Sequence, residues 1–229
     1  DGKLSRGLGD VYKRQRDNKE LFTTEMFESP YVGPQSFAST YGEHRDKLEL
    51  SDNDFEEIFK YSKKVDIDFF VTPFDLKSAD FLNELGLDSY KIASGDLTNF
   101  PLIEKVANFQ KPMIISTGAS DFWEVEKTLN FAKNINPNII LLQCTSIYPA
   151  KPITINLNVI NTFRKEFPET VIGYSGHDSG ISIPIAAYSL GARVIEKHFT
   201  LDRSQKGTDH QFSLTPISVS YTHLTLPTS

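Results

Sequence analysis

Short apolar runs that recur along the chain constrain its fold more than any other feature of the sequence. They are rich in branched and aromatic residues almost throughout, which is typical of parallel strands buried on both faces. The predicted strands are residues 68–74, 89–95, 112–118, 139–146, 171–177 and 193–200. Helical patterns lie between them, for example at 77–85, 121–133 and 181–192, the last closed by Gly191 as a predicted C-terminal cap. Strands therefore follow one another at roughly 20 to 30 residues, the size of a βαβ step.

This strict alternation, without the glycine-rich fingerprint of dinucleotide-binding folds, favours a (β/α) barrel over an open doubly wound sheet. Polar residues collect where the predicted strands end, at Thr72, Ser94, Ser116, Thr145, Ser146, Ser175, His177, Glu196 and His198. In a barrel these ends surround the catalytic site. We predict an α/β fold, a (β/α)8 TIM-type barrel that is incomplete here, with about six of the eight β/α units and the first two strands missing.

The two ends of the sequence show no convincing period. Residues 1–15 and 219–229 resemble translated adapter or vector sequence, so we expect non-native tails around a truncated barrel domain at 16–218. Within that domain, the acidic stretch 48–59 predicts a helix start capped by Ser51 or Asp52.

Composition excludes several classes of function. A formal net charge of -6 argues against general binding to nucleic acids or anionic membranes, both of which require a basic surface. A single cysteine, Cys144, excludes an internal disulfide framework and fits a reducing compartment, so we expect a cytoplasmic protein. Cys144 itself is predicted to be a small core residue.

Two histidines end consecutive predicted strands, which places the imidazoles of His177 and His198 side by side. They could hold a divalent ion with open coordination positions, or be hydrogen-bonded at a barrel rim. Glu196 precedes His198 by two residues and shares its strand face. It could be a general base, a holder of metal-bound water, or the structural partner of a nearby cation.

Lys91 stands on an otherwise apolar predicted strand. A buried lysine requires an anion, either a neighbouring carboxylate or a bound phosphate or carboxylate. The hydroxyls at the strand ends could converge on a phosphate, although each alone is more often a strand-end cap. Their recurrence at equivalent positions is the stronger signal.

Several ordered motifs resemble the N-acetylneuraminate (sialic acid) synthase family. They are "TPFD", "YKIASGDLTN", "PMIISTG", "LLQCTSIYP", "GYSGHDSGI" and "EKHFTLDRSQKGTDHQFSL". "TYGEHRDKLELS" together with "GYSGHDSGI" is most similar to the animal-type and related microbial branch. The resemblance runs from about residue 16 to residue 216 and covers most of the chain.

The resemblance implies condensation of phosphoenolpyruvate with N-acetylmannosamine or its 6-phosphate. His177 and His198 match ligands of a divalent metal, Mn²⁺ or Mg²⁺, and Glu196 and Lys91 match catalytic positions. The residues that match the family's phosphoenolpyruvate-contacting positions are Thr72, Lys91, Ser94, Ser116, Ser146 and Ser175. The residues that match the family's positions near the amino sugar are Asp96, Tyr148 and Asp209. Lys197 is expected to face outward in a structural role, and the full-length protein is expected to be a homodimer.

Some features depart from the family pattern. The bacterial branch often has Glu at the position of Asp96 and Asn at the position of Ser146, which bears on the roles that the resemblance implies for these two residues. Lys91 and Ser94 are three residues apart, so a bulge or strand end must intervene if both face the site. The family's first two strands and its C-terminal antifreeze-like domain have no counterpart in the sequence, so we expect the chain alone to be marginally stable and inactive. The alternatives are a synthase for legionaminic or pseudaminic acid, and a non-catalytic sugar-phosphate-binding barrel.

Overall fold

The computed structural model describes residues 10–14 and 22–225, with side chains for residues 22–220. The chain divides into two compact units, Asp1–Tyr90 and Lys91–Ser229. Each unit is described separately below. In the described ranges, every helix is too short or too polar to cross a bilayer.

Unit 1 contains parallel strands and the helices that connect them. Its strands are β1 (Asp10–Arg14), β2 (Phe69–Pro73) and the first residue of β3 (Tyr90–Ile92). β1 pairs with β2 over five residues, and β2 pairs with β3 at Val71 and Tyr90. The helices are α1 (Thr24–Glu28), α2 (Tyr41–Leu48), α3 (Asp52–Lys64) and α4 (Leu76–Leu85).

β1 differs from the sequence-based expectation, because it lies within the segment predicted to be a tail. Its sequence, Asp-Val-Tyr-Lys-Arg, is mostly polar and has no apolar run. Parallel pairing uses only main-chain N–H and C=O groups, so a segment without a hydrophobic signature can still join a sheet. The described residues therefore include seven strands, six at the predicted positions and β1 in addition.

Unit 2 continues the alternation of strands and helices. After β3 come β4 (Met113–Ser116), β5 (Ile139–Cys144), β6 (Val171–Gly176) and β7 (Ile195–Lys197). β4, β5, β6 and β7 pair in parallel in the order of the sequence. The helices are α5 (Phe100–Asn108), α6 (Phe122–Lys133), α7 (Asn158–Glu166), α8 (Ser182–Ser189) and α9 (Pro216–Thr225). Sequential parallel strands joined by helices are the topology of a TIM-type barrel.

The core of unit 2 lies between these strands and helices. β4 and β5 are buried along most of their lengths, and α5 and α6 bury one face each. Fully or almost fully buried side chains include Leu102, Ile103, Val106, Met113, Ile115, Leu129, Leu141 and Leu142. Each such side chain contributes about 1.5–3 kcal/mol on burial, so this apolar layer holds the strand ends in place.

Two local predictions are confirmed. Ser51 caps α3 in a capping box, in which Ser51 Oγ accepts from the Asp54 N–H at 3.2 Å and the Asp54 carboxylate accepts from the Ser51 N–H at 2.8 Å. Gly191 follows α8 with φ +101°, the left-handed conformation that glycine adopts without steric cost.

Candidate active site

A buried ion pair joins the beginning of unit 2 to β7. Lys91 Nζ lies 3.2 Å from Glu196 Oε2, and the lysine side chain is 7% exposed. Ser175, on β6, donates from Oγ to Glu196 Oε1 at 2.8 Å. The sequence predicted that Lys91 pairs with either a neighbouring carboxylate or a bound anion. The structure contains the carboxylate, that of Glu196. Glu196 is correspondingly paired with a cation, as one of its predicted roles requires.

The surroundings of Glu196 keep it ionised. Burial alone would raise the pKa of this carboxyl group. The Lys91 ammonium, the Ser175 hydroxyl and His198 outweigh that effect and hold the pKa below its usual value. Glu196 is therefore a carboxylate at neutral pH, able to accept hydrogen bonds and protons.

Hydroxyl groups from several strand ends converge beside this pair. The Gly118 N–H donates to Ser94 Oγ at 2.9 Å. A side chain at Gly118 would collide with Ser146 Oγ and lie 2.9 Å from Ser94 Oγ and 3.2 Å from Cys144 Sγ. Ser94, Ser146 and Cys144 therefore approach one another where residue 118 has no side chain.

Ser116 ends β4 two residues before Gly118. Its side chain is 2% exposed, and its Oγ has no hydrogen-bond partner among the described residues. A buried hydroxyl without a partner is costly, and such groups often mark a ligand position. Ser116 therefore offers an unused donor and acceptor at the end of its strand.

The predicted strand end between Lys91 and Ser94 is present. β3 ends at Ile92, and Ser94 begins a 3₁₀ turn that runs to Asp96. The period-two alternation of strand side chains does not extend through that turn. Two residues three positions apart can consequently serve the same site.

His177 and His198 lie next to one another, with ring centroids 5.4 Å apart. His177 Nδ1 lies 2.7 Å from the Thr145 carbonyl oxygen. A carbonyl oxygen only accepts, so Nδ1 carries the proton, and in the neutral ring Nε2 has the lone pair. His198 Nδ1 lies 3.5 Å from Asp209 Oδ2, which favours the same tautomer.

These histidines fit a divalent ion. Orientation of a ligating imidazole through its second nitrogen is the usual arrangement around metals. No group of three His, Cys, Asp or Glu side chains in the described ranges is arranged to bind an ion. An ion held by these two imidazoles alone would need oxygens of substrate or water to complete its coordination.

Aromatic rings enclose the two imidazoles. The Tyr148 ring centroid lies 3.9 Å from that of His177, and the Phe212 centroid lies 5.1 Å from that of His198. Burial, with smaller contributions from Cys144, Asp209 and Glu196, raises the pKa of Tyr148 to about 12. Tyr148 therefore remains a neutral hydroxyl donor.

Comparison with known proteins identifies the lineage. Residues 8–221 match the NeuB family. The chain belongs to the NeuB family. Over 208 residues it is 42% identical to N-acetylneuraminate-9-phosphate synthase of Homo sapiens, which covers 90% of this chain and 58% of that protein. Over 173 residues it is 47% identical to N,N'-diacetyllegionaminic acid synthase of Campylobacter jejuni, covering 74% and 52% of the two chains.

A solved NeuB-type structure confirms the fold class. It is the N-acetylneuraminic acid (sialic acid) synthetase of Leptospira borgpetersenii, with a TM-score of 0.75, 36% identity, and coverage of 80% of this chain and 66% of that one. The predicted α/β fold of TIM-barrel type is thereby confirmed. The chain spans 58% of the human relative's length.

The structure brings most, but not all, of the predicted NeuB-type residues together. Lys91, Ser94, Ser146, Ser175 and Glu196 are linked through the contacts above, while His177, His198, Tyr148 and Asp209 form a neighbouring group of aromatic rings and a carboxylate. Thr72 lies in unit 1, buried at the end of β2, and is described only there.

Asp96 lies in the turn after β3. Asn99 Nδ2 donates to its carboxylate at 3.0 Å, within the same turn. Burial raises the pKa of Asp96, and this hydrogen bond opposes that effect. Its predicted role beside the amino sugar stays a prediction.

Two residues of the site escaped the sequence reasoning. Cys144 was predicted only as a small core residue; burial raises the pKa of its thiol, which also lies beside Ser94 and Ser175. Gly118 was given no role, although its missing side chain makes room for Ser94 and Ser146. The only available signal was the position of both residues at strand ends that carry hydroxyls.

Proposed function

We propose that the intact protein is a nonulosonic acid synthase of the sialic acid type. It would join phosphoenolpyruvate and water to N-acetylmannosamine or its 6-phosphate, and release N-acetylneuraminate or its 9-phosphate with inorganic phosphate. The observation that carries the proposal is a buried cation, Lys91, paired with Glu196 where the Ser175 hydroxyl also binds, next to two oriented imidazoles. Membership of the NeuB family supports the reaction class.

Phosphoenolpyruvate is an anion, and the strand ends of unit 2 carry groups suited to bind one. Lys91 supplies a buried positive charge, while Ser94, Ser116, Ser146 and Ser175 supply hydroxyl donors without adding negative charge. Charged hydrogen bonds in a buried setting are stronger than those in water. A protein of net charge -6 would thus hold an anionic substrate through Lys91, which is paired with Glu196 in this structure, and through neutral hydroxyls.

Formation of the carbon–carbon bond requires an activated sugar aldehyde. His177 and His198 would hold a divalent ion, Mn²⁺ or Mg²⁺, and such an ion supplies Lewis-acid polarisation of a carbonyl oxygen. Tyr148 and Asp209 flank these histidines and would orient the amino sugar. The enol carbon of phosphoenolpyruvate then attacks the aldehyde carbon, which leaves C2 of the former phosphoenolpyruvate electron-poor.

Glu196 would complete the reaction through water. As a carboxylate it accepts a proton from the water that adds to this electron-poor C2. Water thus gives a tetrahedral C2 that bears both a hydroxyl and the phosphate. This hydroxyl loses its proton and forms the C=O bond as the bond between C2 and the phosphate oxygen breaks, and phosphate leaves with that electron pair. The oxygen of the former aldehyde takes up a proton and becomes a hydroxyl of the product. Lys91, paired with Glu196 in this structure, would share its charge between that carboxylate and the anionic substrate.

The test is release of inorganic phosphate from phosphoenolpyruvate by the intact protein with Mn²⁺. Parallel reactions contain N-acetylmannosamine, its 6-phosphate, or no sugar. We expect release that depends on sugar and is lost in His198→Ala. His210→Ala, a change of the same type outside the site, is expected to retain activity. Absence of release with every sugar, from folded protein that binds Mn²⁺, would refute the proposal.

A synthase for N,N'-diacetyllegionaminic acid is the second candidate. It is favoured by the 47% identity to the Campylobacter jejuni synthase. The same chemistry would act on a diacetylated amino sugar. Preferential phosphate release with that sugar, measured alongside N-acetylmannosamine, would decide for this candidate.

A further inference from the structure

A second buried ion pair joins the residues that adjoin the two histidines in the sequence. Lys197 Nζ is 3.0 Å from Asp178 Oδ1, and the two side chains are 5% and 2% exposed. Lys197 also donates to the Asp178 carbonyl oxygen. Tyr174 donates from its hydroxyl to the same Asp178 Oδ1 at 2.6 Å. The pair and the tyrosine form one hydrogen-bonded unit between β6 and β7.

The position of this pair along the chain links it to the histidines. Asp178 follows His177, and Lys197 precedes His198. The last residues paired between β6 and β7 are Gly176 and Lys197. His177 and His198 therefore lie just beyond the paired region, where ladder hydrogen bonds no longer hold the two strands together. The Asp178–Lys197 pair ties the strand ends together at this point.

Main-chain contacts fix each histidine to a different segment. The His177 carbonyl oxygen accepts from the Ala150 N–H at 3.0 Å, and the His198 carbonyl oxygen accepts from the Leu214 N–H at 2.7 Å. These bonds anchor each histidine separately. The Asp178–Lys197 ion pair adds a charged contact between the two segments that carry the histidines.

Stability alone explains the pair poorly. Transfer of two charges out of water costs about as much as their attraction returns, and apolar residues of similar volume often stabilise a core as well. In addition, Asp178 Oδ2 is buried without a hydrogen-bond partner among the described residues.

The local sequence also makes room for this arrangement. A side chain at Gly176 would collide with Asp178 Oδ1 and lie 2.5 Å from Tyr174 Cε1. A glycine at this point in β6 lets the tyrosine and the aspartate approach each other. The geometry is thus specific, which suits a role in positioning.

We propose that Asp178 and Lys197 are a positioning pair that holds His177 and His198 at the separation needed to bind one divalent ion. The inference rests on the proposed function, because it assigns the two histidines to a metal. The pair itself touches neither the metal nor the substrate. It acts through the backbone of the residues next to it.

The test measures Mn²⁺ affinity of the intact protein by electron paramagnetic resonance, in which free Mn²⁺ gives a signal that binding broadens. The double variant Asp178→Asn/Lys197→Met removes the ion pair without leaving one charge buried alone. We expect it to bind Mn²⁺ about 10- to 100-fold more weakly, the usual effect of losing groups that orient metal ligands. Lys197→Arg keeps the charge and is expected to retain most of the affinity.

A destabilised control separates positioning from general loosening. Leu129→Ala opens a cavity in α6, where the leucine is 1% exposed, and should lower the thermal midpoint without changing Mn²⁺ affinity. Unchanged affinity in the double variant, or an equal loss in Leu129→Ala, would overturn the positioning role. Unaltered protein that binds no Mn²⁺ would overturn it together with the metal-dependent function.

A different set of results would refute the synthase function and leave the positioning role standing. Unaltered protein that binds Mn²⁺ but releases no phosphate with any sugar would refute the synthase function. The affinity series would then still support the positioning role if the double variant binds Mn²⁺ more weakly and Lys197→Arg does not.

Discussion

Ser116 illustrates the cost of a buried hydroxyl that no protein group satisfies. Its hydroxyl is buried without a hydrogen-bond partner among the described residues. Ser116→Ala removes that uncompensated group, so the free energy of unfolding without ligand should rise by about 1 kcal/mol. Affinity for phosphoenolpyruvate should fall by about tenfold or more, since a hydrogen bond to a charged ligand is lost. Chemical denaturation and calorimetric titration measure the two effects.

Ser213→Ala is the matched control for that experiment. Ser213 is equally buried, but its Oγ donates to the Asp209 carbonyl oxygen at 2.7 Å. Its loss should reduce the free energy of unfolding by about 1 kcal/mol. A Ser116→Ala protein that is less stable and binds phosphoenolpyruvate unchanged would show that the Ser116 hydroxyl is structural.

A side chain added at Gly118 tests whether the present positions of Ser146 and Ser94 matter for binding. Gly118→Ala would force Ser146 and Ser94 away from their present positions, because the added carbon collides with the first and lies 2.9 Å from the second. We expect affinity for phosphoenolpyruvate to fall by about tenfold, the equivalent of roughly 1.4 kcal/mol. Titration of the ligand into the folded variant measures the loss.

Gly95→Ala provides the comparison for Gly118→Ala. A carbon added at Gly95 would meet no atom within 4 Å, although the residue lies next to Ser94. Its affinity for phosphoenolpyruvate should therefore stay near that of the unaltered protein. Equal losses of affinity in both variants would mean that the reduced backbone freedom, not the displacement of Ser146 and Ser94, explains the effect.

At the scale of elements, the strands were more predictable than their ends. All six predicted runs contain a strand, because burial on both faces selects continuous apolar sequence. The strands are shorter than predicted, however, and β7 covers only Ile195–Lys197 of the predicted 193–200. Main-chain pairing with a neighbour decides where a strand ends, and a single sequence does not reveal that pairing.

The faces of β7 followed from alternation, whereas the partners of its side chains did not. Glu196 contacts Lys91, while Lys197 turns to the opposite side and contacts Asp178. Period-two geometry predicts this separation. Which lysine meets which carboxylate depends on strands distant in sequence, so the Asp178–Lys197 pair could not be predicted from local pattern. The polar neighbours of Cys144 could not be predicted for the same reason, since they come from other strands.

At the scale of the whole molecule, the Lys91–Glu196 pair makes stability depend on pH. Because the pKa of Glu196 in the folded protein lies below the value of 4.5 for an unperturbed glutamate, the folded state favours the carboxylate. The resulting stabilisation is fully present above about pH 4.5 and is lost as the pH falls through the lowered value. Acid should therefore weaken the contribution of this pair, and neutral pH should preserve it.

Glu196→Gln exposes that contribution. Near pH 7 the variant leaves Lys91 buried beside a neutral amide, so its free energy of unfolding should be lower than that of the unaltered protein by about 3 kcal/mol. The difference should shrink as the pH falls below 4.5 and through the lowered pKa of Glu196, where the carboxylate of the unaltered protein becomes protonated as well. Denaturant unfolding at several pH values, with a chelator present, measures it. Glu56→Gln breaks an exposed pair with Lys60 and should change stability by less than about 1 kcal/mol at every pH. A Glu196→Gln deficit that stayed constant down to pH 3 would show that the ion pair is not its cause.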